Sequence, residues 1–382
     1  MMAANSGWTW SLVSAPLNHV LLTIALGRDS ELPSGGDVTT RIQYPQLWIT
    51  YGPKTQNHQM IDDLIEFGAT GTRFTFSYGS PALQGERADQ VRRAADRLQK
   101  EVLLVADLQG EKCRLARIEG VDEILIKRGE QVTFTASPGA TDLQARRIEV
   151  QTAGFLNEVK VGDTIIEGDG GMMLEVVETN AASVNCRPLW DGFIHPGRGL
   201  VVRSSKFSPS PLTQKDRDDL KEIARSGKFD AVAVSFVRGP ADILEVKDVL
   251  STAKKDLAVI AKIETPSGLA QINAIAKSAD VIMAARGDLA LFLPWVELYV
   301  AVQKVSDAAE AQMCPWILAT QLVEGLERFA FPTRAEICDL AHWITKGAWG
   351  AMLSFETAFG SRPIEAVKCV RAIIDRYAIK ER

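Results

Sequence analysis

Short apolar runs bounded by turn residues recur along most of the chain, at 46–51, 70–76, 102–107, 230–236, 257–263, 280–285, 315–319 and 349–354. Runs of this length predict buried strands. Between most of them lie amphipathic stretches of helix length, such as 57–67, 85–99, 240–252, 295–312 and 363–377. Eight strands, each followed by a helix, predict an α/β fold of the (β/α)8 TIM barrel type. One interval breaks the rhythm. Residues 115–205 carry alternating strands, among them Gln131-Val132-Thr133-Phe134 and Met173-Leu174-Glu175-Val176-Val177, with Gly/Asp turns at 162–171 and weak helix signals. This predicts a small all-β, barrel-like domain inserted after the third strand. Chemistry in a barrel sits on the loops after the strands, so such an insert would cover the site as a lid. The expected organisation is an N-terminal extension at 1–45, a barrel from 46–114 and 206–382, and a lid domain at 115–205.

Composition narrows the function class. A chain of 382 residues can bury a large core, and its net charge of −5 gives no sign of nucleic acid or an anionic membrane as partner. The five cysteines, Cys113, Cys186, Cys314, Cys338 and Cys369, are far apart and show neither zinc spacing nor a disulfide framework. They suggest reduced thiols and a cytoplasmic setting. The histidines His19, His58, His195 and His342 do not pair at metal-ligand spacing. Near the N-terminus, the apolar run 20–26 lacks a preceding basic residue and is too short for a membrane span, which needs about 20 apolar residues. With Trp8 and Trp10, the first 45 residues read as an arm that packs on the body or on a neighbouring subunit.

The candidate chemistry lies at two consecutive strand ends. Val259-Ile260-Ala261-Lys262-Ile263-Glu264-Thr265 is an apolar strand closed by a lysine and a glutamate two residues apart. Side chains alternate across a strand, so Lys262 and Glu264 share a face. The next strand, Val281-Ile282-Met283-Ala284-Ala285, runs into Arg286-Gly287-Asp288. Two carboxylates can hold a divalent cation, and a lysine beside them can stabilise negative charge. A surface ion pair would need no such apolar flanks.

The chain resembles the pyruvate kinase family over roughly residues 46–376. The resemblance rests on segments in the family's order: Ile49-Thr50-Tyr51-Gly52-Pro53, Gly71-Thr72-Arg73-Phe74-Thr75-Phe76-Ser77-Tyr78-Gly79, Asp107-Leu108-Gln109-Gly110-Glu111-Lys112-Cys113-Arg114, Val234-Ser235-Phe236-Val237-Arg238, Ala285-Arg286-Gly287-Asp288-Leu289, Ala319-Thr320-Gln321, Pro332-Thr333-Arg334-Ala335-Glu336 and Met352-Leu353-Ser354-Phe355-Glu356-Thr357-Ala358. It implies a phosphoenolpyruvate-dependent phosphotransferase acting between phosphoenolpyruvate, or the pyruvate enolate, and ADP or another acceptor. Glu264 and Asp288 would hold Mg²⁺ or Mn²⁺. Lys262 would lie against the transferring phosphoryl group, and Arg73 would bind phosphate through its planar fork. Thr320, Gly287 and Asp288 would meet the substrate carboxylate. The family's C-terminal regulatory domain has no counterpart here, so no response to sugar phosphates is expected. A homo-oligomer through the barrel is the implied assembly.

The departures cluster on the acceptor side. Thr75 stands for an asparagine, Tyr78 for a histidine, Gln109 for a lysine, Glu111 for a proline, Arg198 of the lid for a lysine, and Ala290 and Phe355 for glycines. A bulky Phe355 could fill space that a nucleotide would occupy. The resemblance also implies a monovalent-cation site, whose side-chain positions read Thr75, Ser77 and Asp107. Members with lysine at the Lys112 position generally dispense with K⁺, so Lys112 is expected to supply a built-in charge near Asp107. Two other function classes remain open at this point. One is a metal-dependent 2-oxo-acid aldolase or lyase on the same barrel, for which Ile263-Glu264-Thr265-Pro266 would serve. The other is a catalytically idle regulator, which the retained Lys262, Glu264, Asp288, Arg73 and Thr320 disfavour.

Overall fold

A computed structural model describes residues 45–378, apart from 153, 158, 169, 204–209 and 253–256. The arm expected at 1–45 therefore falls outside the described residues, except for its last one. The chain opens with β1 (Gln46–Thr50), β2 (Gly71–Thr75) and β3 (Leu103–Asp107). Eight short strands follow: β4 (Ile124–Ile126), β5 (Val132–Thr135), β6 (Arg147–Glu149), β7 (Thr164–Glu167), β8 (Met172–Thr179), β9 (Ser183–Pro188), β10 (Gly192–Ile194) and β11 (Leu200–Val202). The chain then returns with β12 (Ala231–Val234), β13 (Ala258–Ile263), β14 (Val281–Ala285), β15 (Trp316–Ala319) and β16 (Gly350–Met352).

The first three and last five strands close a parallel barrel in chain order, with β16 pairing back onto β1. Helices follow the strands, as the amphipathic stretches predict. The helix expected at 85–99 starts earlier, at Pro81. Ser80 caps it by accepting the Leu83 N–H at 3.2 Å, and Pro81 has no N–H to leave unsatisfied in the first turn. Several strands end a residue or two short of the apolar run, because the chain there turns away to build loops. After β16, Ser354 leads at once into a short helix, Phe355–Ala358. Buried Glu356 ties that turn to the loop after β15: its carboxylate accepts the N–H groups of Leu322, Val323 and Ser354 at 2.9–3.3 Å.

Among its described residues, the insert is all-β apart from one helical turn, Gly154–Asn157, which the sequence pattern does not announce. Six strands form one sheet in the order β11-β7-β8-β9-β5-β6, and β10 pairs with β4. The expected hairpin appears as β7 and β8, joined through Gly168 and Gly170, both with left-handed φ (62° and 96°). Strand β7 shows how the insert meets the barrel. Ile165 packs into the insert's own core with Phe134, Phe155 and Leu174. Ile166, on the other face, joins Val201 and the barrel residues Phe236, Leu291 and Phe292. The lid expected from the sequence thus sits on the loops after β12 and β14.

All five cysteines are free, and burial pushes the thiols of Cys113, Cys186 and Cys314 up to about 12. Among the described residues, no helix is long and apolar enough to cross a membrane.

Candidate active site

Parallel strands deliver their C-terminal ends to one face of the barrel, and the candidate residues gather there. Asp107 ends β3, opposite Thr75 of β2 and Ala233 of β12 in register. Lys262 projects from β13 and is almost fully buried. Its Nζ donates to Ser235 Oγ at 2.8 Å and lies 3.2 Å from Asp107 Oδ1 and 3.1 Å from Glu264 Oε1. Arg73, from β2, places Nε 2.6 Å from the other oxygen of Asp107. Burial pulls the Lys262 ammonium down, but Asp107 and Glu264 outweigh it and hold its pKa above the ordinary value. Burial likewise pushes Asp107 up, and Lys262 with Arg73 brings it below the usual carboxylate range. A lysine held above its ordinary value carries its proton at neutral pH.

Glu264, 2% exposed, is locked by the Phe236 N–H, which donates to Oε2 at 2.7 Å. Its carboxyl lies above the ordinary value: burial pushes it up, Lys262 opposes, and nearby Asp288 adds to the push. Asp288 pairs with Lys112, whose Nζ lies 2.8 Å from Oδ1 and 3.2 Å from Oδ2. Burial raises the Asp288 carboxyl, and Lys112 more than offsets this, so it sits below its usual range. Lys112 thus faces a different carboxylate from the Asp107 expected from the sequence. The reason is that Asp107 already has two cations, whereas Lys112 enters from the turn into the insert on the Asp288 side.

Glu264 and Asp288 offer hard oxygen donors on adjacent strand ends, and their mutual repulsion is what a dication would relieve. That chemistry fits Mg²⁺ or Mn²⁺. Among the described residues no group of three or more His, Cys, Asp or Glu is arranged to hold an ion, so substrate and water oxygens would complete the coordination.

Thr320 follows β15 with φ 76°, and Gln321 with φ 53°. A β-branched residue in this region is strained and must be held there. Arg286 holds it, donating to the carbonyls of Ala319, Thr320 and Gln321 at 3.3, 2.6 and 3.1 Å, while its guanidinium also pairs with Asp339. Gly287 makes room: a Cβ there would come 3.1 Å from Thr320 Cγ2. Thr320, Gly287 and Asp288 are thereby brought together.

The remaining candidates are spread along the rim. Thr75 closes β2, and its carbonyl accepts the Gln84 side chain at 2.8 Å. Ser77 is half-buried. Tyr78 is exposed, with the Arg114 guanidinium 5.8 Å from its ring centroid. Arg198 is exposed on a turn of the insert. Phe355, 46% exposed, stacks on Phe359 at 6.1 Å. Sequence reasoning missed three supports: Ser235, the Phe236 N–H and Arg286. Ser235 Oγ donates to the Leu108 carbonyl at 2.7 Å while accepting from Lys262, and Phe236 takes φ 54° to aim its N–H at Glu264. The signal was the polar residue closing the apolar strand at Val234-Ser235.

A family model described as the pyruvate kinase barrel domain matches residues 44–367. The chain belongs to the pyruvate kinase family. It is 34% identical over 330 residues to pyruvate kinase 2 of Synechocystis sp., covering 86% of this chain and 55% of that protein. It is 32% identical over 324 residues to pyruvate kinase of Thermotoga maritima, covering 85% and 69%. For pyruvate kinase of Thermococcus litoralis the identity is 32% over 324 residues, covering 85% and 67%. The chain thus spans between about half and two thirds of the length of these curated relatives. The matched span takes in all the barrel strands, the insert and every candidate residue of the pyruvate kinase family's site named above.

Proposed function

We propose that this protein is a phosphoenolpyruvate-dependent phosphotransferase of the pyruvate kinase type. One observation carries the reading: a buried Lys262 lies within 3.2 Å of both Asp107 and Glu264, with Arg73 and Asp288 beside it at the barrel mouth. Phosphoryl transfer needs positioning and charge neutralisation more than covalent help from the protein. Arg73 spends one N–H on Asp107, which orients the fork and leaves donors for a phosphate. Lys262 meets charge developing on the phosphoryl oxygens without giving up its proton. Glu264 and Asp288 would hold the divalent metal, which supplies Lewis-acid polarisation when bound. Thr320 and Gly287 orient the carboxylate end of the substrate.

The acceptor side differs from the family pattern at Tyr78, Gln109, Arg198 and Phe355, so ADP binds weakly or another acceptor is used. The lid at 115–205 excludes water from the transfer. Lys112 replaces the monovalent cation, acting through Asp288, and K⁺ is not required. The lyase reading has no observation in its favour, because the insert and the Arg73 loop both lie within the matched span. The protein acts in the cytoplasm on small molecules. A second copy of the chain docks on the barrel, where Trp295, Val296, Tyr299 and Val300 lie exposed together, Trp295 by 79%.

The test is phosphorus NMR of the protein with phosphoenolpyruvate, Mg²⁺ and a panel of acceptors that includes ADP. Loss of the phosphoenolpyruvate signal with a new phosphorylated product supports the reading. An unchanged spectrum across the panel rejects it. Sedimentation of Trp295→Lys against the parent tests the assembly, and an unchanged mass would reject that surface.

A further inference from the structure

The insert buries a carboxylate that the proposed chemistry does not use. Glu167, the last residue of β7, is fully buried. Strand alternation puts it on the face of Ile165, toward the insert's core. Its Oε1 accepts the backbone N–H of His195 at 2.9 Å and lies 3.4 Å from His195 Nδ1. Among the described residues, Glu167 Oε2 and His195 Nδ1 are both buried without a hydrogen-bond partner. A bare carboxylate in that setting is expensive, and one proton between the two groups removes most of the penalty.

Among the described residues, the charged groups facing Glu167 are His195 and Arg198, both from the turn after β10. The strands on either side pair it with apolar residues, Met172 of β8 and Leu200 of β11. On the open side is Gly171, where an added Cβ would lie 3.6 Å from Oε2.

The turn from His195 to Gly199 is tied in turn to the segment that enters the insert. Leu115 N–H donates to the Arg198 carbonyl at 2.9 Å, and Leu200 N–H to the Cys113 carbonyl at 2.9 Å. Arg114 Nη1 lies 3.4 Å from the Gly197 carbonyl. The stem of Lys112 passes under Gly199, where a Cβ would come within 2.9 Å of Lys112 Cε. The same Lys112 reaches Asp288 at the barrel mouth.

We propose that Glu167 and His195 share a single proton and together position the 195–199 turn, which carries Arg198 and packs on Lys112. Glu167 is thus a positioning residue for the lid, and its effect on turnover rests on the phosphotransferase reading above. Burial pushes the Glu167 carboxyl up, with His195 and Arg198 opposing. A carboxyl raised in the folded state costs stability once it ionises. The turn is therefore firmest while the pair keeps its proton, and it loosens as pH rises past the point where that proton leaves.

The experiment uses the full chain with Glu167→Gln, Glu167→Leu and His195→Gln. Glu167→Gln keeps the acceptor for the His195 N–H and so guards against a trivial loss of fold. Two readouts need no turnover: the pH titration of the His195 ring by nitrogen NMR, and amide-exchange protection over 195–199. In the wild type, protection should fall about tenfold across the pH rise. In Glu167→Gln it should stay flat, and the His195 titration should move. An identical His195 titration in both proteins, or protection in the wild type that does not change with pH, overturns the proposal. Glu167→Leu should lower kcat about tenfold, a modest misplacement cost, with phosphoenolpyruvate affinity unchanged. A wild type that never consumes phosphoenolpyruvate rejects the function and leaves the two NMR and exchange tests of the pair standing.

Discussion

The barrel mouth and the insert both bury carboxylates, and they differ in how many cations meet them. At the mouth, Asp107, Glu264 and Asp288 are met by Arg73, Lys262 and Lys112 at 2.6–3.2 Å. Asp107 and Asp288 lie below their ordinary range and Lys262 above its own, while Glu264, deeply buried and close to Asp288, lies above. In the insert, Glu167 has a histidine at 3.4 Å and an exposed arginine near by, and its carboxyl moves up. Three cations gathered at one strand-end face suit the neutralising of a phosphate. A carboxylate met as Glu167 is responds to protons. The difference lies in how many strand ends supply cations: several at the mouth of a closed barrel, one turn in the insert.

The largest effect expected from breaking the cluster at the mouth is at Lys262. Lys262→Met removes a preorganised charge worth about 3–4 kcal/mol to the transition state. Turnover should fall at least roughly 100-fold. The fold should survive, because Arg73 still holds Asp107. Steady-state kinetics alongside a thermal melt checks both, and a variant that retains most of its activity makes Lys262 structural.

Removing the two carboxylates proposed to hold the metal comes next. Glu264→Gln combined with Asp288→Asn should abolish measurable Mg²⁺ or Mn²⁺ binding by calorimetry. Unchanged affinity would place the metal elsewhere.

Lys112→Glu should produce a smaller, conditional effect. The parent is expected to work equally in K⁺ and tetramethylammonium buffers, and the variant to need K⁺. Strong K⁺ activation of the parent would contradict the assignment of Lys112 as a built-in charge.

The smallest effect is on stability against pH. Asp107 has a depressed carboxyl, so its contribution is present above the unfolded value and is lost as pH falls through the folded one. Lys262 has a raised ammonium, so its contribution is fully present below the ordinary lysine value and is lost as pH rises through the raised folded one. Glu264, raised, works against Asp107 on the acid side. Denaturant titrations over pH should therefore show Asp107→Asn with a flatter acid limb than the parent. An identical limb would mean that the Asp107 charge is not stabilising.

Much of this was legible in the sequence because it is periodic or local. Apolar runs at regular spacing specified the barrel, and the loss of that rhythm at 115–205 marked the insert. Lys262 and Glu264 share a face by strand alternation alone, and Asp288 follows the next strand by simple adjacency. The helix start at Pro81 was missed because a proline and a capping serine break the apolar period while favouring the helix. The turn at Gly154–Asn157 was missed because four residues are too few to show a period.

What the sequence by itself determined is therefore the order of elements and which residues stand at strand ends. The partners were decided by tertiary structure. Nothing local could pair Lys112 with Asp288 across 176 positions, or send Ser235 and the Phe236 N–H to Lys262 and Glu264. Likewise no pattern told that Glu167 would meet His195 inside the insert, although alternation put it on the core face. The physical reason is that periodicity reports which face of an element is buried, whereas charge pairing depends on which other elements arrive there. Closing the barrel and seating the insert on Phe236, Leu291 and Phe292 made that choice.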